Sequence, residues 1–244
     1  MQIHKISIIT ATYQAESKIS NLILSLKKNE KFIHEWIIVD NFSTDSTLKI
    51  IKNHDFKFIT KLIIKKTTIY EAFNEGLKNL TSNFYMILGS DDWLLDNGLN
   101  NFFKNVKLHN EIMLYILPTI MNGKIINKKI KNNSILGAHH LVNSHSAGLI
   151  INLISHQKVG YYSNDYFYAS DSDFIIKVFK NKLKILRPNI IVGCFGIDGS
   201  TNNKKNIYKL LFENYKVMIR NNFSYIIQTF LLIIRILKNS YKLL

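Results

Sequence analysis

The stretch Phe84-Tyr85-Met86-Ile87-Leu88-Gly89-Ser90-Asp91-Asp92-Trp93 decides how the rest of the chain is read. Five apolar residues between Asn83 and Gly89 predict a strand buried on both faces, and it stops against two adjacent carboxylates, Asp91 and Asp92. In open α/β sheets ligands bind at the carboxyl ends of the strands, so acids delivered there can offer oxygen ligands to a divalent cation. The competing reading is a solvated turn, because Gly-Ser-Asp-Asp is also good turn chemistry, followed by a helix cap at Asp96. The flanking segments decide between the two.

Upstream, Ile6 to Thr12 reads as a buried strand, and Ile19, Leu22, Ile23 and Leu26 recur at helical spacing behind Ser17 as a cap. Trp36 to Val39 is a second strand ending on Asp40, followed by a polar loop from Asn41 to Thr47 and a short helix to about Asn53. Lys61 to Lys65 forms a third strand, and Ile69, Ala72, Phe73, Gly76, Leu77 and Leu80 lie on one face of a helix that leads into Phe84. Such alternation builds a parallel sheet with right-handed crossovers, which puts Asp40 and the Asp91/Asp92 pair on one rim. Downstream, Leu99, Phe102, Phe103 and Val106 mark a helix, Met113 to Ile120 a strand, and Asn122-Gly123 a two-residue hairpin turn. Asn127 to Ser144 reads as a mobile loop over the rim. Gly148 to Ile151 is a short strand, and Asp171 to Lys180 a helix with Phe174, Ile175, Val178 and Phe179 inward. Lys182 to Leu186 and Ile190 to Phe195 are further strands.

The 244 residues suffice for one large α/β domain with a real core, at 47% hydrophobic content. A net charge of +15 suits nucleic acid, an anionic membrane or a phosphorylated substrate, yet the cations are mostly dispersed Lys among Asn and Ile. A single cysteine, Cys194, leaves no disulfide within the chain and fits a reducing compartment. The N-terminus enters a strand-like run at once, so no signal peptide is expected and a cytoplasmic location is. No run reaches ~18 apolar residues, the length a spanning helix needs.

The ordered motifs resemble the inverting family-two glycosyltransferases of the GT-A fold, the group that builds bacterial capsule and lipopolysaccharide sugars. The matching runs are Ser7 to Tyr13, Ile38 to Thr47, Ile69 to Gly76 and Gly89 to Trp93, then His145-Ser146, Ala169 to Phe174 and Gly199 to Thr201. The resemblance implies a Rossmann-like, mostly parallel sheet flanked by helices, with residues 1–203 as the catalytic domain and 204–244 as a helical tail. It implies that Thr10, Thr12 and Glu16 border the nucleotide pocket, that Asp40 recognises the base, and that Asn74 belongs to the donor site. Asp91 and Asp92 then stand in the Asp-x-Asp region, contacting ribose or sugar and a Mg or Mn ion, and Asp171 is the catalytic base. The implied partners are a nucleotide-diphosphate sugar donor and a glycan or lipid-linked acceptor. Three positions depart from the pattern: Gly89 where Asp or Asn is common, leaving fewer candidate metal ligands, Gln14 for Asn, and Thr68 for Gly.

The chemistry asks for a stabilised leaving diphosphate and a deprotonated acceptor hydroxyl, the tasks of a metal and a base. Asp171 and Asp173 compete for the second; about 200° apart around a helix, only one faces the site, and Asp171 is preferred. An N-cap is its structural alternative. His145 is a candidate substrate contact, while His139 and His140 lack partners at zinc-like spacing. Two other classes compete with the transferase. A sugar-phosphate nucleotidylyltransferase shares the sheet but would show a Gly-rich basic loop after its first strand, and none stands at Ala11 to Lys18. A nucleic-acid-binding module would show a recognisable motif or an Arg-rich stripe, and neither is present. The tail, Lys204 to Leu244, holds eight Lys or Arg against Glu213 alone. Its apolar Phe223 to Leu237 is suited to lying in an anionic membrane interface or to packing as an ordinary helix.

Overall fold

The computed structural model describes residues 4–127, 146–196 and 206–240. Three βα units open the chain: β1 (Ile6–Thr12), α1 (Ile19–Lys28), β2 (Ile33–Asp40), α2 (Thr47–Lys52), β3 (Ile59–Ile64) and α3 (Ile69–Lys78). Then come β4 (Phe84–Ile87), β5 (Trp93–Leu94), α4 (Gly98–Asn105), β6 (Leu114–Ile116), β7 (Thr119–Met121) and β8 (Lys124–Ile126). The last part holds β9 (Leu149–Asn152), α5 (Ile154–Val159), α6 (Ser170–Lys180), β10 (Ile185–Leu186), β11 (Gly193–Phe195), α7 (Ile207–Arg220) and α8 (Tyr225–Ser240).

Seven strands form the main sheet in the order β10-β6-β9-β4-β1-β2-β3. All neighbours in it are parallel except β9, which runs antiparallel to both β4 and β6. Period-two alternation splits the core between the faces: Ile8 packs with Leu22, Leu26, Trp36 and Phe102, whereas its neighbour Ile9 packs with Phe73, Tyr85, Phe174 and Ile175. Each such fully buried aliphatic side chain contributes about 1.5–3 kcal/mol. The β4 residues Phe84 to Ile87, and Leu88 after them, are all buried, as a strand covered on both faces requires.

Local chemistry sets the boundaries. Thr68 caps α3 in a reciprocal box, its hydroxyl accepting from the Glu71 N–H while the Glu71 carboxylate accepts the Thr68 N–H at 2.7 Å. A Cβ on Gly76 would lie 2.6 Å from Ile9 Cγ2, so glycine lets α3 settle onto β1. Asn122 and Gly123 both take positive φ, 51° and 68°, which makes the tight turn between antiparallel β7 and β8.

Several expectations are corrected. The single strand over Met113 to Ile120 is two, in different sheets: Pro118, which has no N–H to give a ladder, separates β6 from β7. β7 belongs to a smaller sheet, β5-β11-β7-β8. Lys18, not Ser17, precedes α1, with no side-chain cap. Phe179 is exposed on α6, while Ile176 takes a place in the core, packed with Val217 and Met218 of α7. The loop expected over Asn127 to Ser144 lies, apart from Asn127, outside the described residues.

Candidate active site

The register of β1 and β2 pairs Thr12 with Asp40, so both strands end at one rim, beside β4. Thr12 Oγ1 donates to Asp40 Oδ2 at 2.8 Å, and Ser43 donates its N–H to Oδ1 and its hydroxyl to Oδ2, each at 2.7 Å. Asp40 is fully buried. Through these bonds it shapes the 41–46 loop at the rim. Thr10 is buried too, its hydroxyl accepting from the Trp36 indole at 2.9 Å.

The loops after β1 and β2 are stitched to each other. Gln14, at a positive φ of 49°, accepts the N–H groups of Thr44 and Asp45 through Oε1 and donates from Nε2 to Thr44 Oγ1. Glu16 Oε2 accepts the Ser46 N–H at 2.8 Å, while Asp45 Oδ2 accepts the Glu16 N–H at 3.1 Å. Positive φ at Gln14 is uncommon for a residue with a Cβ and is held here by these bonds, and Phe42 also takes a positive φ, 56°.

At the end of β4 the adjacent carboxylates differ. Asp92 is 1% exposed; Oδ1 accepts the Gly196 N–H at 2.8 Å, and Oδ2 accepts the Gly89 N–H at 2.7 Å and the Ser146 hydroxyl at 3.4 Å. Burial, against those bonds and with Asp91 adding to it, pushes its pKa up to about 7. Asp92 thus ties Gly89, Ser146 and Gly196 together at the end of β4. Asp91 is half-buried, and its Oδ2 is a buried oxygen with no hydrogen-bond partner. A buried, uncommitted carboxylate oxygen at a sheet rim fits a divalent cation. Among the described residues no group of three or more His, Cys, Asp or Glu could hold an ion. A Cβ at Gly89 would come 3.0 Å from Asp91 Oδ1, so a larger residue there would crowd the pair.

Asp171 stands in the first turn of α6. Its Oδ1 accepts the Ser172 N–H at 2.7 Å and the Tyr70 hydroxyl at 3.1 Å. It does not cap the helix, whose N-cap is Ala169. Burial raises its pKa, a change the two donors only partly offset. Asp173 is 3% exposed, accepts from Asn221 Nδ2 at 2.7 Å and pairs with Lys177 at 2.6 Å, the bonds of a structural acid. Asn74 exchanges both its amide groups with the Tyr162 backbone, at 2.8 and 3.1 Å, and so positions that segment. It also lines a cavity of about 350 Å³ with Lys65, Lys66, Glu75 and Tyr161.

His139, His140, His145 and Gly199 to Thr201 lie outside the described residues. Two groups escaped the sequence reading. Glu213 of α7 accepts the N–H groups of Phe167, Tyr168 and Ala169, and its being the lone acid of a basic tail was the signal. His156 is buried, with Nε2 2.6 Å from the Tyr85 hydroxyl and Nδ1 3.0 Å from the Gly160 carbonyl. Burial lowers its pKa to about 4, so it stays neutral and, donating from Nδ1, accepts from Tyr85. No sequence pattern marks it.

The family model for glycosyl transferase family 2 matches residues 7–168. A dolichyl N-acetyl-alpha-D-glucosaminyl phosphate 3-beta-D-2,3-diacetamido-2,3-dideoxy-beta-D-glucuronosyltransferase of Methanococcus voltae is 29% identical over 178 residues, 70% of this chain and 54% of that protein. The poly(ribitol-phosphate) beta-N-acetylglucosaminyltransferase TarS of Staphylococcus aureus is 30% identical over 125 residues, 49% of this chain and 22% of that protein. The chain thus spans about half the length, or less, of these relatives. A TarS fragment crystallised with UDP-GlcNAc superposes with a TM-score of 0.66 at 18% identity, over 92% of this chain and 69% of that one. A Pyrobaculum calidifontis mannosyltransferase, solved with GDP-Man and Mn2+, also gives 0.66, at 15% identity, over 90% of this chain and 65% of that one. At these identities the superpositions show a shared fold.

Proposed function

Because this chain belongs to glycosyl transferase family 2, we propose that it moves a sugar from a nucleotide-diphosphate donor to a hydroxyl of a glycan or lipid-linked acceptor, with inversion at the anomeric carbon. The setting we propose is cell-surface polysaccharide synthesis, of the capsule or lipopolysaccharide kind, on the cytoplasmic side of the membrane. The observation that carries the reading is the family match over 7–168 together with Asp91, whose buried Oδ2, without a hydrogen-bond partner, stands at the rim where β1, β2 and β4 end.

Asp91 would hold a Mg or Mn ion, which supplies Lewis-acid neutralisation of the departing diphosphate. The stitched loops from Gln14 to Glu16 and Asn41 to Ser46 give the nucleotide a rigid floor. Asp171 takes the proton from the acceptor hydroxyl as its oxygen attacks the anomeric carbon, and its raised pKa makes it the stronger base. With Oδ1 engaged by Tyr70 and Ser172, Oδ2 is the oxygen left to receive that proton. Since α7 packs on α6 and grips its start, we set the boundary between body and tail after α7 and not at 203/204.

The finer proposal is one of place. No described helix is long and apolar enough to cross a membrane. The α8 helix turns Ile226, Phe230 and Ile233 outward, in a region rich in Lys and Arg, and we assign it to an anionic membrane surface. The donor chemistry is tested by thermal shift with UDP, GDP, dTDP and CDP, with and without Mn2+. One diphosphate should raise the midpoint in a Mn2+-dependent way, since ligand at about 100 times its Kd adds about 2.7 kcal/mol. No shift with any of them would remove the nucleotide-sugar reading.

A further inference from the structure

We infer that Tyr70 and Glu213 are positioning residues for Asp171: the phenol aims the carboxylate, and the α7 carboxylate anchors the backbone that carries it. The inference rests on the reading of Asp171 as the base.

Tyr70 enters α3 just behind the Thr68 cap, and its ring is buried against Phe73 and Tyr162. A ring so packed has one direction in which to point its hydroxyl, and that direction meets Asp171 Oδ1 at 3.1 Å, across 101 residues of sequence. Burial, and then the charge of Asp171, hold the phenol pKa well above its ordinary value, so the group stays a donor. The Ser172 N–H meets the same oxygen at 2.7 Å. Two donors on one oxygen fix the plane of the carboxylate and leave the other oxygen for substrate.

Glu213 acts on the backbone. Oε1 accepts the Phe167 N–H at 3.0 Å, and Oε2 accepts those of Tyr168 at 2.6 Å and Ala169 at 3.1 Å. The α6 helix has no side-chain cap of its own. A carboxylate from another helix thus binds the N–H groups leading into it, where negative charge is favoured by the helix dipole. Arg220 of the same helix pairs with Asp165 at 2.7 Å, an exposed ion pair that adds little to this grip. The groups that bear on Asp171 are then Tyr70 from α3, Tyr162 from the segment before α6, Glu213 from α7 and, on its own helix, the Ser172 N–H. Tyr70 favours its charged form and Glu213, a like charge, opposes it.

The test is a carbon-13 titration of the carboxyl groups in the full chain, with the Asp171 signal assigned by its loss in Asp171→Asn. Tyr70→Phe removes one donor and should move the Asp171 midpoint up. Glu213→Gln removes a like charge and should move it down. Loosened packing alone does not push two variants in opposite directions. In turnover of a sugar donor built on whichever diphosphate gives the Mn2+-dependent thermal shift, Tyr70→Phe should lower kcat roughly tenfold, the loss of one hydrogen bond to a charged group, with the donor KM within about twofold. An unmoved Asp171 midpoint in Tyr70→Phe, or shifts of one sign in both variants, overturns the inference. If Glu213→Gln does not fold, Tyr70→Phe decides alone. Full transfer in Asp171→Asn would remove the base assignment while leaving the titration result standing, so the two failures are told apart.

Discussion

Asp92 Oδ1 accepts the backbone N–H of Gly196 at 2.8 Å, a bond between residues 104 positions apart. It ties the end of β4 to the chain leaving β11, directly over Asp91: a Cβ on Gly196 would fall 2.3 Å from the Asp91 carbonyl oxygen. Neighbouring identical residues therefore do different work. Asp92→Ala should leave the N–H groups of Gly89 and Gly196 without an acceptor and cost about 2–4 kcal/mol, read as a lowered thermal midpoint. Asp91→Ala should keep the wild-type midpoint and lose the Mn2+-dependent part of nucleotide stabilisation. The reverse pattern would return the metal to Asp92.

The two acids of α6 separate in the same way. Asp171→Asn keeps the shape and hydrogen-bonding reach of the side chain but cannot accept the proton, so transfer should fall by about 10²–10⁴ while donor binding is retained. Asp173→Asn should chiefly cost stability, because it breaks the pair with Lys177. Turnover per folded molecule and urea midpoints measured on both variants check this. A dead Asp173→Asn beside an active Asp171→Asn would put the base on the wrong carboxylate.

The contrast explains what was legible in the sequence. Buried strands such as Ile6 to Thr12 and Trp36 to Val39 are written as apolar runs, and α3 as an apolar face behind a threonine cap, because those patterns arise from local geometry. The acids at the strand ends were visible for the same reason. Their division of labour was not: Gly89, Ser146 and Gly196 all meet the Asp92 carboxylate while a buried Asp91 oxygen has no partner, and Asp40 is met by Thr12 and Ser43. The sheet change at Pro118 and the grip of Glu213 on residues 167–169 likewise depend on partners distant in sequence.

Glu35 makes a prediction about acid stability. It is fully buried at the start of β2 and accepts from the Thr81 N–H at 2.7 Å, the Ser7 hydroxyl at 2.9 Å, the Thr81 hydroxyl at 3.0 Å and Lys61 at 3.1 Å. Burial pushes its pKa up, but these donors outweigh burial and hold it below the ordinary 4.5. A depressed carboxyl contributes stability that is present above its unfolded pKa and is lost as pH falls through the folded one. The wild-type thermal midpoint should therefore drop as pH falls below about 4.5, and Glu35→Gln should start lower at neutral pH and depend less on pH over that window. Parallel pH curves for the two proteins would show that other carboxylates govern acid unfolding.

The last prediction concerns α8, whose exposed face is apolar. It turns Gln228 and Leu232, 1% and 8% exposed, inward, while Ile226, Phe230 and Ile233, at 80%, 63% and 51%, form a line on the opposite side at helical spacing. A soluble surface helix carries the reverse arrangement, so this face is expected to take an apolar neighbour. Lys209, Lys216 and Lys238 on α7 and α8 each add about 1 kcal/mol of attraction near anionic lipid. The full chain should sediment with vesicles containing phosphatidylglycerol at low salt, less so as salt screens the charges, and weakly with neutral vesicles. Ile226→Ser with Phe230→Ser should weaken that binding at least tenfold, since inserting each side chain is worth about 1.5–3 kcal/mol. Both positions are exposed, so the thermal midpoint should hold. Absence of wild-type binding at low salt would give the face to a protein neighbour, and light scattering that shows a dimer lost in the double variant would identify a second copy of the chain as that neighbour.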